Sequence, residues 1–168
     1  MAFSQRESFL LQGYSVVSKL YHLAYISEST LGENEQFVRD ELQQILEAAK
    51  VNNPALSVTG ALLYSGGYFC QLLEGPQGNL EQLFEKIMRD DRHARVEVLF
   101  FDPAPKRLFG IWAMAYAGYE VQARFDIRGV RSVNQLNAEH MGQNMIETLE
   151  HMVLERQTNL GHTATLHV

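Results

Sequence analysis

The chain predicts an α+β protein: a ferredoxin-like βαββαββ sheet with two helices on one face and C-terminal helices packed on the other. Three observations carry this expectation. Short β-rich runs alternate with two segments of helical apolar spacing. A Ser65-Gly66-Gly67 turn joins two β-rich runs, which is a strong hairpin signal. A third, methionine-rich helical stretch near the C-terminus needs an apolar surface, and the sheet's second face carries Ile26, Cys70 and Leu72 to meet it.

The first strand is Tyr21 to Ser27, where alternation puts Tyr21, Leu23, Tyr25 and Ser27 on one face and His22, Ala24 and Ile26 on the other. From about Asn34 the spacing changes to threes and fours. Phe37, Val38, Leu42, Ile45, Leu46 and Ala49 predict an amphipathic helix ending near Asn52, and Asn53-Pro54 stops it. Val58 to Tyr64 and Tyr68 to Glu74 are the hairpin arms. Gly75-Pro76 ends the second arm, and Leu80, Leu83, Phe84, Ile87 and Met88 mark a second helix. Val96 to Phe101 is a fourth strand, closed by Pro103 and Pro105, and Trp112 to Tyr119 a fifth. Val133 to Glu155 reads as helix again, with Met141, Met145, Leu149, Met152 and Val153 on one stripe. Domain organisation follows: an N-terminal extension over 1–19, a core domain over 20–120 and a C-terminal helical extension over 121–168.

Composition narrows the function. At 168 residues, with 46% hydrophobic and 20% charged residues, the chain has the make-up of a soluble globular protein. A net charge of −6 argues against a nucleic-acid surface. One cysteine, Cys70, excludes an intrachain disulfide and a cysteine-built metal site, which suits the cytoplasm. No apolar run reaches the ~20 residues that span a bilayer, and the first twenty residues lack the parts of a signal peptide. Phosphate-binding loops, dinucleotide glycine motifs, HExxH and GxSxG are all missing. The acidic residues fall mostly on outer helix faces.

Polar residues set among apolar neighbours are more informative. Gln71 interrupts the strand FCQLL, Tyr25 and Gln71 both stand on faces defined by strand alternation, and Asn52-Asn53 lie at the end of the first helix. Singly, each has an ordinary explanation: an edge-strand amide, a buried tyrosine with a satisfied hydroxyl, a pair of helix caps. Together they can form a hydrogen-bonded cluster at the mouth of a groove between the helices, the usual setting of a small-molecule site.

The segments LYHLAYIS, NNPALSVTGALLYSGGYFCQLLEG, FEKIMRDDRHARVEVLFF and WAMAYA resemble, in order and spacing, the BLUF family of blue-light sensors using FAD. The resemblance runs from about Leu20 to Gly118. It implies that a flavin lies between the two helices, with Tyr25 as the redox-active tyrosine and Gln71 bonded to both tyrosine and flavin. It implies that Asn53 holds the flavin's pyrimidine edge with help from Asn52, and that Ile45 and Ile87 sandwich the ring. Arg92 and His93 match the stretch near the ribityl-phosphate side, and Trp112 and Met114 the tryptophan and methionine of the last strand, which exchange places next to the glutamine in the family, so that either could be its neighbour here. His22 stands where the family often has arginine, and Ile26 where a small residue is common.

The expected function is then that of a photoreceptor, not an enzyme. It binds FAD non-covalently and relays a light-driven rearrangement among Tyr25, Gln71 and flavin to the C-terminal helices. As a short BLUF protein it would act through a homo-oligomer or a separate partner, with no nucleic acid, membrane or metal involved. Two competing readings are a flavin-dependent oxidoreductase and a cofactor-free ferredoxin-like interaction module. Flavin colour, and a red shift under blue light without NAD(P)H, separate the three.

Overall fold

The computed structural model describes residues 19–110, 113–120 and 142–154. Its elements follow the expected βαββαββ order: β1 (Leu20–Ser29), α1 (Glu35–Asn52), β2 (Thr59–Ser65), β3 (Tyr68–Pro76), α2 (Gln77–Ile87), β4 (His93–Pro103) and β5 (Ala115–Glu120). A final helix, α3, spans 142–154. The five strands form one sheet in the order β4-β1-β3-β2-β5. All neighbours are antiparallel except β2 and β5, which run parallel.

Local chemistry accounts for the boundaries. Asn34 caps α1 by accepting from Phe37 N through its side chain, and Asn53 closes the helix with its N–H on Ala49 O. Pro54 then opens a single 3₁₀ turn, Pro54–Leu56. Gly66 and Gly67 take φ of 55° and 83°, the left-handed pair that a two-residue hairpin requires.

Alternation divides β1 as expected. Leu23 and Tyr25 join Val38, Leu42 and Leu46 of α1 and Leu80 of α2 in one core, while Ala24 and Ile26 join Cys70 and Leu72 in another on the opposite face. That second core is closed by Met145, Leu149, Met152 and Val153 of α3. Met141, assigned to the same stripe, lies outside the described residues. Gly142 stands so close to the sheet that a Cβ there would lie 2.4 Å from the Phe100 ring.

Three local expectations are corrected. Phe37 is 50% exposed because it sits one residue, about 100° of helix, off the Val38–Leu42–Leu46 stripe. Met88 is also half exposed, since α2 stops at Ile87 and Met88 is only its cap. The fifth strand starts at Ala115, so Met114 precedes it; Trp112 lies outside the described residues.

Candidate functional site

Between α1 and α2, above the sheet, is a cavity of about 300 Å³. Ile45, Ala48 and Ala49 form one wall and Leu83 and Ile87 the other, while Leu62, Phe69 and Leu73 make the floor. Ile45 and Ile87 are only half-buried because their outward surface is the cavity wall. A mostly apolar cavity with a few convergent polar groups is the usual form of a ligand site.

At the base, Tyr25 and Gln71 are cross-strand partners on β1 and β3. The Tyr25 hydroxyl donates to Gln71 Oε1 at 2.5 Å, and the amide nitrogen of Gln71 lies 3.4 Å from Met114 Sδ. All three are buried, at 3%, 5% and 5% exposure. The Tyr25 ring packs on Phe84, 5.3 Å between centroids. Burial, reinforced by the Asp90 charge, pushes the Tyr25 hydroxyl well above its ordinary pKa. It is therefore a protonated donor across the neutral range. A thioether is a weak acceptor, so Gln71 is held firmly at its oxygen and loosely at its nitrogen.

Asn53 is buried at the end of α1. Its carbonyl accepts from the N–H groups of Leu56 and Val58, and its side-chain Nδ2 donates to Ala113 O at 2.8 Å. It therefore ties the helix end to the segment that delivers Met114. Asn52, by contrast, is exposed and donates back to Ala48 O at 2.8 Å, at the rim of the cavity.

Arg92 and His93 also line the cavity, with their hydrogen-bonding atoms turned to protein. Arg92 binds Asp90 through Nε at 2.8 Å and through a terminal nitrogen at 2.5 Å, and reaches Glu41 of α1 at 3.5 Å. Hydrogen bonds from Arg92, against some desolvation, hold the Asp90 carboxyl below its usual range. His93 uses both ring nitrogens, on Ser27 Oγ and Ile87 O, each at 2.7 Å. Trp112 lies outside the described residues.

Sequence reasoning did not reach Lys86 and Asp90, which also line the cavity. Lys86 occupies an exposed helix position, where a lysine carries no local signal. Leu62 and Phe69 were findable, since they alternate with the opposite face along the hairpin arms. Glu74 was missed as well: it is fully buried at the end of β3, on the sheet's other face.

The family model for BLUF, sensors of blue light using FAD, matches residues 20–115. The chain belongs to this family. Among curated relatives, the photoactivated adenylate cyclase subunit beta of Euglena gracilis is 38% identical over 104 residues, 61% of this chain and 12% of that protein. This chain thus spans about an eighth of that relative. Two solved structures, BlrB and BlsA, match along most of their length. The dark-state structure of BlrB shares 27% identity with a TM-score of 0.58, covering 81% of this chain and 96% of BlrB. The ground state of BlsA shares 26% identity with a TM-score of 0.62, covering 78% and 87%.

The cavity fits the family's cofactor. Its facing isoleucines suit a flat ring system, and the carboxamides of Gln71 and Asn53 offer the paired donors and acceptors that match a ring's carbonyl and imide edge. Lys86 and Arg92 also line the cavity, Arg92 with its guanidinium paired to Asp90 and Glu41. No helix among the described residues is long and apolar enough to cross a membrane.

Proposed function

We propose that this BLUF chain binds FAD non-covalently between α1 and α2, and that Gln71 is the element whose two hydrogen-bonding states encode light and dark. The observation that carries this is the buried series Tyr25 Oη, Gln71 Oε1, Gln71 Nε2, Met114 Sδ, with contacts of 2.5 and 3.4 Å at the cavity base. When bound, FAD supplies blue-light absorption and, once excited, an acceptor for one electron.

The chain's own residues do the rest. Tyr25 holds its proton against Gln71 Oε1, the acceptor within reach of its hydroxyl. Gln71 can rotate, which exchanges the atom facing Tyr25 for the one facing Met114, or tautomerise, which keeps both atoms in place and moves a proton from Nε2 to Oε1. Because sulfur holds the amide nitrogen weakly, the states differ by few hydrogen bonds and the change is reversible. Ile45 and Ile87, on facing helices, would exclude water from the bound ring and so strengthen the hydrogen bonds at the base. Asn53 would hold the ring's edge and, through Ala113, ties the helix end to the approach to β5. Asn52, Arg92 and His93 complete the lining, and Arg92 would have to leave Asp90 or Glu41 to reach a phosphate.

Output runs through the sheet. Met114 belongs to the helix-side core, while Ala115, the next residue, belongs to the core that α3 closes. A change at Gln71 that moves Met114 therefore acts on both faces at once. The relay ends in α3 and from there in an oligomer interface or a partner protein, with no reaction catalysed by this chain.

The deciding measurement is a light-minus-dark spectrum of the full chain supplemented with FAD. A red shift that reverses in the dark without NAD(P)H supports the proposal. A colourless protein leaves the cofactor-free interaction module, and turnover that consumes NAD(P)H leaves the oxidoreductase. Gln71→Leu is expected to bind flavin and lose the shift; a wild-type shift in that variant removes Gln71 from its role.

A further inference from the structure

Glu74 is a carboxylate with no exposed surface, placed three residues beyond Gln71 on β3 and on the opposite face of the sheet. Its oxygens are fully engaged. One accepts from Leu108 N at 2.6 Å, with His22 Nε2 at 3.1 Å; the other accepts from Phe109 N at 2.9 Å and from the Thr59 hydroxyl at 3.0 Å. Arg107 adds a second layer, donating to Thr59 Oγ1 at 2.8 Å, to the Glu74 backbone carbonyl at 2.6 Å and to Ser57 O at 2.6 Å. His22 Nε2 also reaches Lys106 O at 3.0 Å.

These bonds converge on one stretch of chain. Residues 106–109 carry no regular secondary structure, so their backbone groups need partners from elsewhere, and Glu74 and its neighbours supply them. Phe109 is anchored in the second-face core at 1% exposure. Five residues later the same stretch delivers Met114 to Gln71. Both ends of the 108–114 segment are therefore registered on one strand: Leu108 and Phe109 on Glu74, Met114 on Gln71.

We propose that Glu74 is a positioning residue for the photoactive site: its carboxylate fastens residues 106–109 to the sheet and so sets where Met114 meets Gln71. Glu74 touches neither the cavity nor Gln71, and it acts through the segment it holds. The role given to Met114 rests on the photoreceptor reading above, whereas the clamp itself does not.

Glu74→Gln keeps the shape and leaves a single acceptor oxygen for donors on two sides. Hydrogen exchange of the 104–115 segment, measured in the dark on the FAD-loaded full chain, should quicken by about tenfold or more with the loss of a charge-assisted bond. The rate of dark recovery should change too, and the effects of Glu74→Gln and Met114→Ala on that rate should fail to multiply, as expected of coupled residues. Unchanged exchange, or rate effects that multiply independently, overturns the proposal. Should Glu74→Gln not fold, Thr59→Val compared with Arg107→Met decides, since Thr59→Val removes a donor to Glu74 and the Arg107 contact together while Arg107→Met removes the Arg107 contacts alone: exchange of 104–115 quickened by Thr59→Val beyond the change in Arg107→Met supports the clamp, and no such excess overturns it. A wild-type chain with no light-induced shift refutes the photoreceptor reading, while the exchange comparison still judges the clamp.

Discussion

Replacing Tyr25 with phenylalanine removes one oxygen and leaves the packing intact, since the ring keeps Phe84 at 5.3 Å. The loss falls on Gln71 Oε1, which forfeits its buried donor. An acceptor left unpaired at 5% exposure costs about 1–3 kcal/mol, and the relief of no longer burying a hydroxyl returns part of it. A net loss of about 1–2 kcal/mol corresponds to a fall in Tm of about 2–8 °C for a chain of this size. The alkaline limb gives a sharper test. Because the folded-state pKa of Tyr25 is raised above the unfolded value near 10, its contribution is complete below about pH 10 and is lost as pH rises beyond it. In that range the wild type should lose about 1.4 kcal/mol per pH unit relative to Tyr25→Phe. Cys70, whose thiol burial pushes up to about 12, adds a similar alkaline loss to both proteins and cancels in the difference. Urea denaturation of the FAD-loaded chain from pH 7 to 11, in the dark, reads both quantities. Parallel curves above pH 10 would refute the buried, protonated phenol. A wild-type red shift in Tyr25→Phe would separately remove Tyr25 from the photochemistry.

Other outcomes follow from the same structure. Leu149→Ala, at a fully buried position of α3, should cost about 3–5 kcal/mol in urea unfolding; a loss near zero would mean that α3 is not docked on the sheet. Gly142→Ala gains about 1 kcal/mol of helix propensity but places a Cβ 2.4 Å from the Phe100 ring. Overpacking of about 1–3 kcal/mol should win, seen as faster hydrogen exchange across 142–154, and slower exchange would refute the close approach. At low pH, Glu74 sets the sign. Burial opposes its charged form, but bonds from His22, Leu108, Phe109 and Thr59 outweigh that and lower its pKa. The stability it contributes is present above the ordinary glutamate range and is lost as pH falls through the lowered value. Glu74→Gln should therefore show a flatter acid limb than wild type in the same urea series, and an equally steep limb would place the acid sensitivity elsewhere.

Much of the fold was legible because periodicity is a local property. Alternation in Tyr21–Ser27 assigned Tyr25 to the helix face and Ile26 to the other, and the register of β1 on β3 agrees. The same alternation put Cys70 behind the sheet and Gln71 in front. The family resemblance then paired Tyr25 with Gln71, which periodicity alone could not do, since the two lie 46 residues apart.

What needed the tertiary structure is what depends on contacts between distant segments. That Met114 precedes β5 rather than sitting within it follows from where pairing with β2 begins, at Ala61 opposite Ala115. That Arg92 and His93 spend their polar atoms on Asp90, Glu41, Ser27 and Ile87 is invisible in a list of residues. Glu74 is the clearest case. In the sequence it is a charged residue at the end of a strand, the position where charge usually meets water. Only in the folded chain do four donors, brought from β1, β2 and the loop before β5, surround it and make its burial tolerable. Amino-acid spacing specifies which face a side chain takes; which partners wait there is settled when the strands pair.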